Sequence, residues 1–174
     1  MIGMNNNFLM TDNVIFDAKP DAVPYRYRLS YKIGQICLIL NMCGGSSCSF
    51  PKIQMISNAL NDKKGQKDLL QFCDENNLLF ISAIRFDPAV NRVLEYALAD
   101  GLIKQLVKGT YKLTEKGKKF VKQIKLDKEL MSNEIDFLER IGNRLSEEKI
   151  SELMDRWRYT DVRNSETENN YYNR

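Results

Sequence analysis

The chain has 174 residues, 43% of them hydrophobic and 28% charged, with a formal net charge of +3 and no histidine. That length suits one domain with added helices or two small ones, and so mild a charge argues neither for nor against nucleic acid. The lack of histidine excludes Ser-His-Asp and Cys-His nucleophile pairs and histidine metal sites, and no apolar run approaches the ~18 residues of a membrane span.

Residues 1–23 are polar, rich in Asn and interrupted by proline, and predict an irregular arm. They lack a basic segment followed by a long apolar one, so the sequence predicts no secretory leader and a cytoplasmic location. From Tyr25 the pattern changes. "YRYRLSYKIGQICLILNM" carries Leu29, Ile33, Ile36, Cys37 and Leu40 at helical spacing, and Leu38 and Ile39 make it apolar nearly all round, as in a central buried helix. "CGGSS" stops it, because paired glycines lose too much backbone freedom to continue a helix. Ser49 then caps a second helix with Pro51 in its first turn and Ile53, Ile56 and Leu60 on one stripe. "NDKKGQK" reads as a polar loop, "DLLQFCDENN" as a short helix, and "LLFISAIRF", residues 78–86, as a strand.

Asp87-Pro88 is the clearest local signal: aspartate caps, and proline fills a first-turn position where its missing N–H costs nothing. Val90, Val93, Leu94, Ala97 and Leu98 follow at the spacing of one helix face, and Asp100-Gly101 ends the helix. Leu102–Val107 and Thr110–Leu113 flank Lys108-Gly109, predicting a hairpin with a two-residue turn. Thr114 caps a further helix whose inner side is Phe120, Val121 and Ile124, and Gly117 lets it lie close to the hairpin. "NEIDFLERIGNRL" and "SEEKISELMDRWRY" predict two more helices, the first with Ile135, Leu138, Ile141 and Leu145 on its stripe. After Tyr159 the composition is too polar to bury a core, and residues 160–174 predict a disordered tail.

Helix, helix, strand, helix, hairpin is the order of a winged helix. The predicted fold is therefore mainly α: a winged helix-turn-helix body over 24–126 with a small wing sheet that includes strand 78–86, followed by two C-terminal helices over 127–159.

Charge along the chain is polarised. Residues 104–128 hold nine lysines against Glu115 and Asp127, whereas residues 129–155 hold eight acids against Arg140, Arg144 and Lys149. Lysine charge alone suffices for contact with a phosphate backbone, so Lys104, Lys108, Lys112, Lys116 and Lys119 are the candidate DNA-binding residues. The helix before the hairpin offers Asn91, Arg92, Glu95 and Tyr96 outward. Asn91 and Arg92 are of base-reading type, but Glu95 and Asp100 would repel phosphates. Asn91 and Arg92 are therefore candidate partner-binding residues, together with Trp157, Arg158 and Tyr159, whose types anchor interfaces. Cys43 and Cys48 flank "GGSS", close enough to share a metal or a disulfide, but a four-thiolate zinc site needs two tight pairs, and the cysteines read as reduced thiols. "CGGSSCSF" lacks the following Gly-Lys-Ser/Thr of a phosphate loop. With no nucleophile beside a base, the sequence predicts no enzyme and no cofactor.

Taken together, "YRLSYKIGQICLIL" with "FPKIQMISNAL", then "IRFDPAVNRVLEYALADGLI", "YKLTEKGKKFVKQI" and "EIDFLERIGNRLSEEKISELM" resemble the middle-component proteins of bacterial ABC-type three-component systems, the group that includes the small accessory subunit of Lamassu anti-phage systems. The resemblance spans about residues 25–155. It implies a non-catalytic subunit bracing an SMC-like ABC ATPase at its nucleotide-binding heads and holding an effector nuclease in check, with double-stranded DNA engaged through the assembled complex. Asp87, Pro88, Asn91, Arg92, Asp100 and Gly101 match the recurring pattern; capping accounts for four of them and leaves Asn91 and Arg92 for an interface. The alternative is a winged-helix transcriptional regulator that binds DNA by itself.

Overall fold

A computed structural model describes residues 28–75, 87–107 and 109–156. The predicted arm over 1–23, the strand over 78–86, Lys108, Trp157, Arg158, Tyr159 and the tail lie outside the described residues. What is described is mainly helical, with a small three-stranded antiparallel sheet.

Helix α1 (Leu29–Met42) is the core element, buried from Lys32 to Leu40 as its all-round apolar pattern predicts. Leu29, at its first position, stands partly out of the core. Strand β1 (Ser47–Ser49) follows a single tight turn, and Ser49 then caps α2 (Phe50–Ala59) by accepting from the Lys52 amide. Helix α3 (Lys63–Glu75) starts five residues earlier than its apolar residues suggest, so Lys63–Lys67 are helical rather than a loop. The reason is Asp62, whose carboxylate accepts from the Gly65 amide at 2.6 Å and caps the first turn. Gly65 also lets this turn lie close to the end of α2, where a Cβ would make a tight 3.2 Å contact with the Ala59 Cα.

Helix α4 (Pro88–Ala99) begins as predicted, with the Asp87 carboxylate accepting from the Ala89 amide at 2.9 Å. It ends with Gly101 at φ +66°, donating to Leu98 O while Leu102 donates to Ala97 O, a pair of bonds that satisfies the last carbonyls. Strands β2 (Ile103–Gln105) and β3 (Thr110–Leu113) form the hairpin. Its connection is longer than two residues: Gly109, at φ +72°, donates to Leu106 O, and Leu106 donates to Thr110 O, which puts Val107 in the turn. The third strand is β1, which the sequence reading missed; sheet order is β1–β3–β2.

Helix α5 (Glu115–Leu126) is capped by Thr114, and Gly117 is packed hard against the start of β2. Helix α6 (Ser132–Ile141) ends at Gly142, so the predicted stripe does not continue as helix to Leu145. Leu145 is nevertheless fully buried, and Phe137 takes the inward place assigned to Ile135, which is only partly buried. A last helical run, here α7, covers 147–156 with Ser146 as its cap. It is tied back to α3, since Lys149 donates to Cys73 O at 2.7 Å and Arg144 pairs with Asp74 at 2.9 Å. Among the described residues, no helix is long and apolar enough to cross a membrane.

Candidate interaction surfaces

Helix α4 carries two of the sequence-predicted partner residues. Val90, Val93, Leu94 and Ala97 face the core, which leaves Asn91, Arg92, Glu95, Tyr96 and Ala99 facing out. Tyr96 is 49% exposed. Arg92 and Glu95 balance in charge, and Asp100 follows at the end where the helix dipole is already negative. This face is amphipathic and close to neutral, a poor match to a polyanion and a fair match to protein.

The start of α4 is held from below by a residue that sequence reasoning missed. Gln54, 1% exposed on α2, accepts from the Asp87 amide at 3.0 Å and donates to the Asp87 carbonyl at 3.2 Å. A side-chain amide can satisfy both halves of one peptide position in this way. Beside it lies a second buried polar group, Lys32, which is 4% exposed and donates to Gln35 Oε1 at 3.0 Å and to Asn61 Oδ1 at 2.9 Å. Ser57 also donates to Gln35 Oε1 at 3.3 Å. Burial holds the Lys32 pKa below its ordinary value, opposed by the charges of Asp87 and Glu134. Tyr31 donates to Glu134, joining α1 to α6. The signal for this network was Lys32, Gln35 and Gln54 falling inside otherwise apolar helix stripes.

The predicted DNA-binding lysines divide into groups. Lys104 and Lys112 are brought together as direct partners across β2 and β3. Lys116 is drawn away, donating to the Asp100 carbonyl at 2.6 Å, where it caps the C-terminus of α4. Lys119 is exposed on α5, one residue beyond Lys118, whose ammonium pairs with Glu115 at 2.8 Å and lowers that carboxyl's pKa. Lys108 lies outside the described residues, and the other four candidates are divided between the β2–β3 pair, the end of α4 and the exposed side of α5.

All four cysteines are buried free thiols. Cys43, at the end of α1, and Cys48, in β1, are hydrogen-bonded to each other; that bond lowers the Cys43 pKa and raises that of Cys48. Burial pushes the Cys37 thiol up to about 12. Among the described residues, no group of three or more His, Cys, Asp or Glu side chains could hold a metal ion. An open cleft of about 720 Å³ between α3 and α6 mixes Lys63, Lys67 and Arg140 with Asp62, Asp74 and Glu134. None of the sequence-predicted site residues lines it.

No family model, curated protein or solved structure matches the chain.

Proposed function

We propose that this chain is a non-catalytic bridging subunit with a winged-helix body, which connects the heads of an SMC-like ABC ATPase to an effector nuclease in an anti-phage complex. Helix, strand, helix, helix and hairpin with sheet order β1–β3–β2 support the winged-helix reading, with α4 in the position of a base-reading helix and α3 as an insertion. The observation that carries the bridging role is the outward face of α4. Where a DNA reader would present cations and amides, this helix presents a charge-balanced face of Asn91, Arg92, Glu95 and Tyr96. Tyrosine and arginine are the residue types on which protein interfaces concentrate their energy. The opposed charges of residues 104–128 and 129–155 suit a wedge between two unlike partners, since complementary potentials steer docking. The protein works in the cytoplasm, and duplex DNA meets its lysines in the assembled complex.

The test is purification of the tagged full chain from its native host. A large ATPase with a coiled coil and a nuclease should accompany it in fixed ratio, and the paired change Arg92→Glu, Tyr96→Ala should release them without altering the melting temperature. A chain that purifies free of partners and selects one duplex sequence at nanomolar strength refutes the bridging role. That outcome belongs to the second reading, a transcriptional regulator, which is favoured by one observation: Asn91 and Arg92, types that read adenine and guanine, stand outward in the first turns of α4.

A further inference from the structure

Strand register gathers a face that the linear sequence does not display. Side chains alternate along a strand, and on each of the three strands one buried residue fixes which way the alternation runs. Leu113 is buried on β3, so Lys112 and Thr110 face away from the core. Ile103 is buried on β2, so Lys104 faces away. Cys48 is buried on β1, so Ser47 and Ser49 face away. The pairings Ser47↔Lys112, Lys104↔Lys112 and Ser49↔Thr110 then set two lysines and three hydroxyl side chains on one side of the sheet. No carboxylate occurs on that side of these strands.

Lys104 and Lys112 stand directly opposite each other, about 5 Å apart at Cβ. Like charges so placed repel, and an anion lying between them relieves the repulsion. We infer that the outward face of the β1–β3–β2 sheet, centred on Lys104 and Lys112, is a docking surface for the phosphate backbone of duplex DNA. It rests on the DNA-contact part of the function proposed above and names the surface that makes the contact. Three strands about 4.8 Å apart make a row roughly 10 Å wide, and a duplex offers one charge per about 1.7 Å of its axis. Several phosphates therefore fall within reach, with the Ser47 and Thr110 hydroxyls to orient them, while that of Ser49 is engaged in capping α2. Glu147 bounds the surface, since its carboxylate accepts from the Ser49 amide at 3.1 Å at the β1 edge. An anionic lipid surface is a poorer match. Stable membrane attachment needs a broad buried apolar area beside the charge; register carries Leu106, opposite Thr110, to this side at the hairpin end, and one leucine with Val107 in the adjoining turn falls short of that area.

The experiment is a salt titration of full-length protein, in the assembly with which it purifies, with a fluorescent random-sequence duplex of about 20 base pairs, read by anisotropy. A vesicle arm uses phosphatidylserine with phosphatidylcholine. The paired variant Lys104→Ala, Lys112→Ala should reduce the slope of log K against log salt by about 1.8, from roughly 0.9 per phosphate contact. Lys116→Ala and Lys118→Ala should leave that slope unchanged, because their ammonium groups are held by Asp100 and Glu115. Removing a repelling pair should leave the melting temperature equal or higher, so lost binding is not lost folding. If wild type binds and the paired variant keeps its slope, the surface is wrong while DNA contact stands. If wild type binds vesicles or nothing in place of the duplex, the DNA-contact reading itself is overturned, and co-purification still judges the bridging role independently.

Discussion

Gly117→Ala tests the seat of α5 against the hairpin. In an ordinary helix interior this change gains about 1 kcal/mol. Here the new methyl would lie 2.1 Å from the Leu102 carbonyl oxygen and 2.8 Å from Leu113 Cδ2. Real Cβ contacts stay beyond 3.0 Å, so the carbonyl or the helix must give way by roughly 0.9 Å. That carbonyl is not free to move. It accepts from the Thr114 amide at 3.0 Å and from the Thr114 hydroxyl at 3.1 Å, and Thr114 is the cap of α5 itself. Overpacking costs about 1–3 kcal/mol and one lost hydrogen bond about 1 kcal/mol. The lost bond cancels the helix-propensity gain, and because backbone must move the net loss falls toward the upper end, about 2–3 kcal/mol. For a chain of this size that lowers the melting temperature by about 5–10 °C. Thermal denaturation followed by circular dichroism measures it, with two comparators. Gly44→Ala enters open space and should change little, whereas Gly101→Ala adds no clash but must hold φ +66° and should cost about 1 kcal/mol. A Gly117→Ala protein that melts at or above wild type would refute the close seating of α5 on the hairpin.

Gln54→Leu leaves the Asp87 amide without its acceptor, while the Asp87 carbonyl keeps the Val90 amide, and urea unfolding should show a loss of about 1–3 kcal/mol. Burial depresses the Lys32 pKa, so between that lowered value and the ordinary 10.5 the unfolded chain holds a proton that the folded chain has released. Stability therefore rises with pH across that window, and wild type should gain on Lys32→Met in urea titrations as pH approaches 10.5 from below. On the proposed bridging role, Tyr96→Ala alone should cost at least about 2 kcal/mol of partner affinity, or some thirtyfold, by titration calorimetry, with stability unchanged to about 0.5 kcal/mol. A loss of stability equal to the loss of affinity would make Tyr96 a folding residue and not an anchor.

Helix starts were legible wherever a capping side chain stood directly before an apolar stripe, as at Ser49, Asp87 and Thr114. The cap is local chemistry and needs no tertiary partner. Asp62 is an equally good cap, yet it precedes Lys63-Lys64-Gly65, which carries no apolar periodicity, so the first turn of α3 read as loop. Strand β1 was hidden for the opposite reason. Three small residues hold no alternating pattern long enough to detect, and they become a strand because β3 supplies hydrogen bonds across the gap. The end of α6 was misplaced because Leu145 keeps the apolar spacing past Gly142, although the chain has turned there and Leu145 enters the core from a loop. For the candidate surfaces, exposure of Asn91 and Arg92 followed from helix periodicity. The diversion of Lys116 to the end of α4 could not follow, since it depends on how α5 sits relative to α4 in space.

The two ends of α4 are fixed by different means, and this bears on what the helix can do. Its start is clamped by Gln54 from α2 and lies beside the Lys32 network, while its end is closed through Gly101 and capped by Lys116 from α5. A face held at both ends loses little freedom on docking, and lowering that cost is how preorganised surfaces gain affinity from modest contact area. The same fixity constrains DNA binding. Entering a major groove would carry Glu95 and Asp100 toward the phosphates along with Asn91 and Arg92, and a rigid α4 cannot turn the acids aside. The sheet face has no such acids on its strands. A division of labour follows on the proposed role, with α4 meeting protein and the Lys104–Lys112 face meeting phosphate. It predicts that Glu95→Gln strengthens duplex binding far less than Lys112→Ala weakens it; the reverse ranking in the same salt titration would return α4 to the groove.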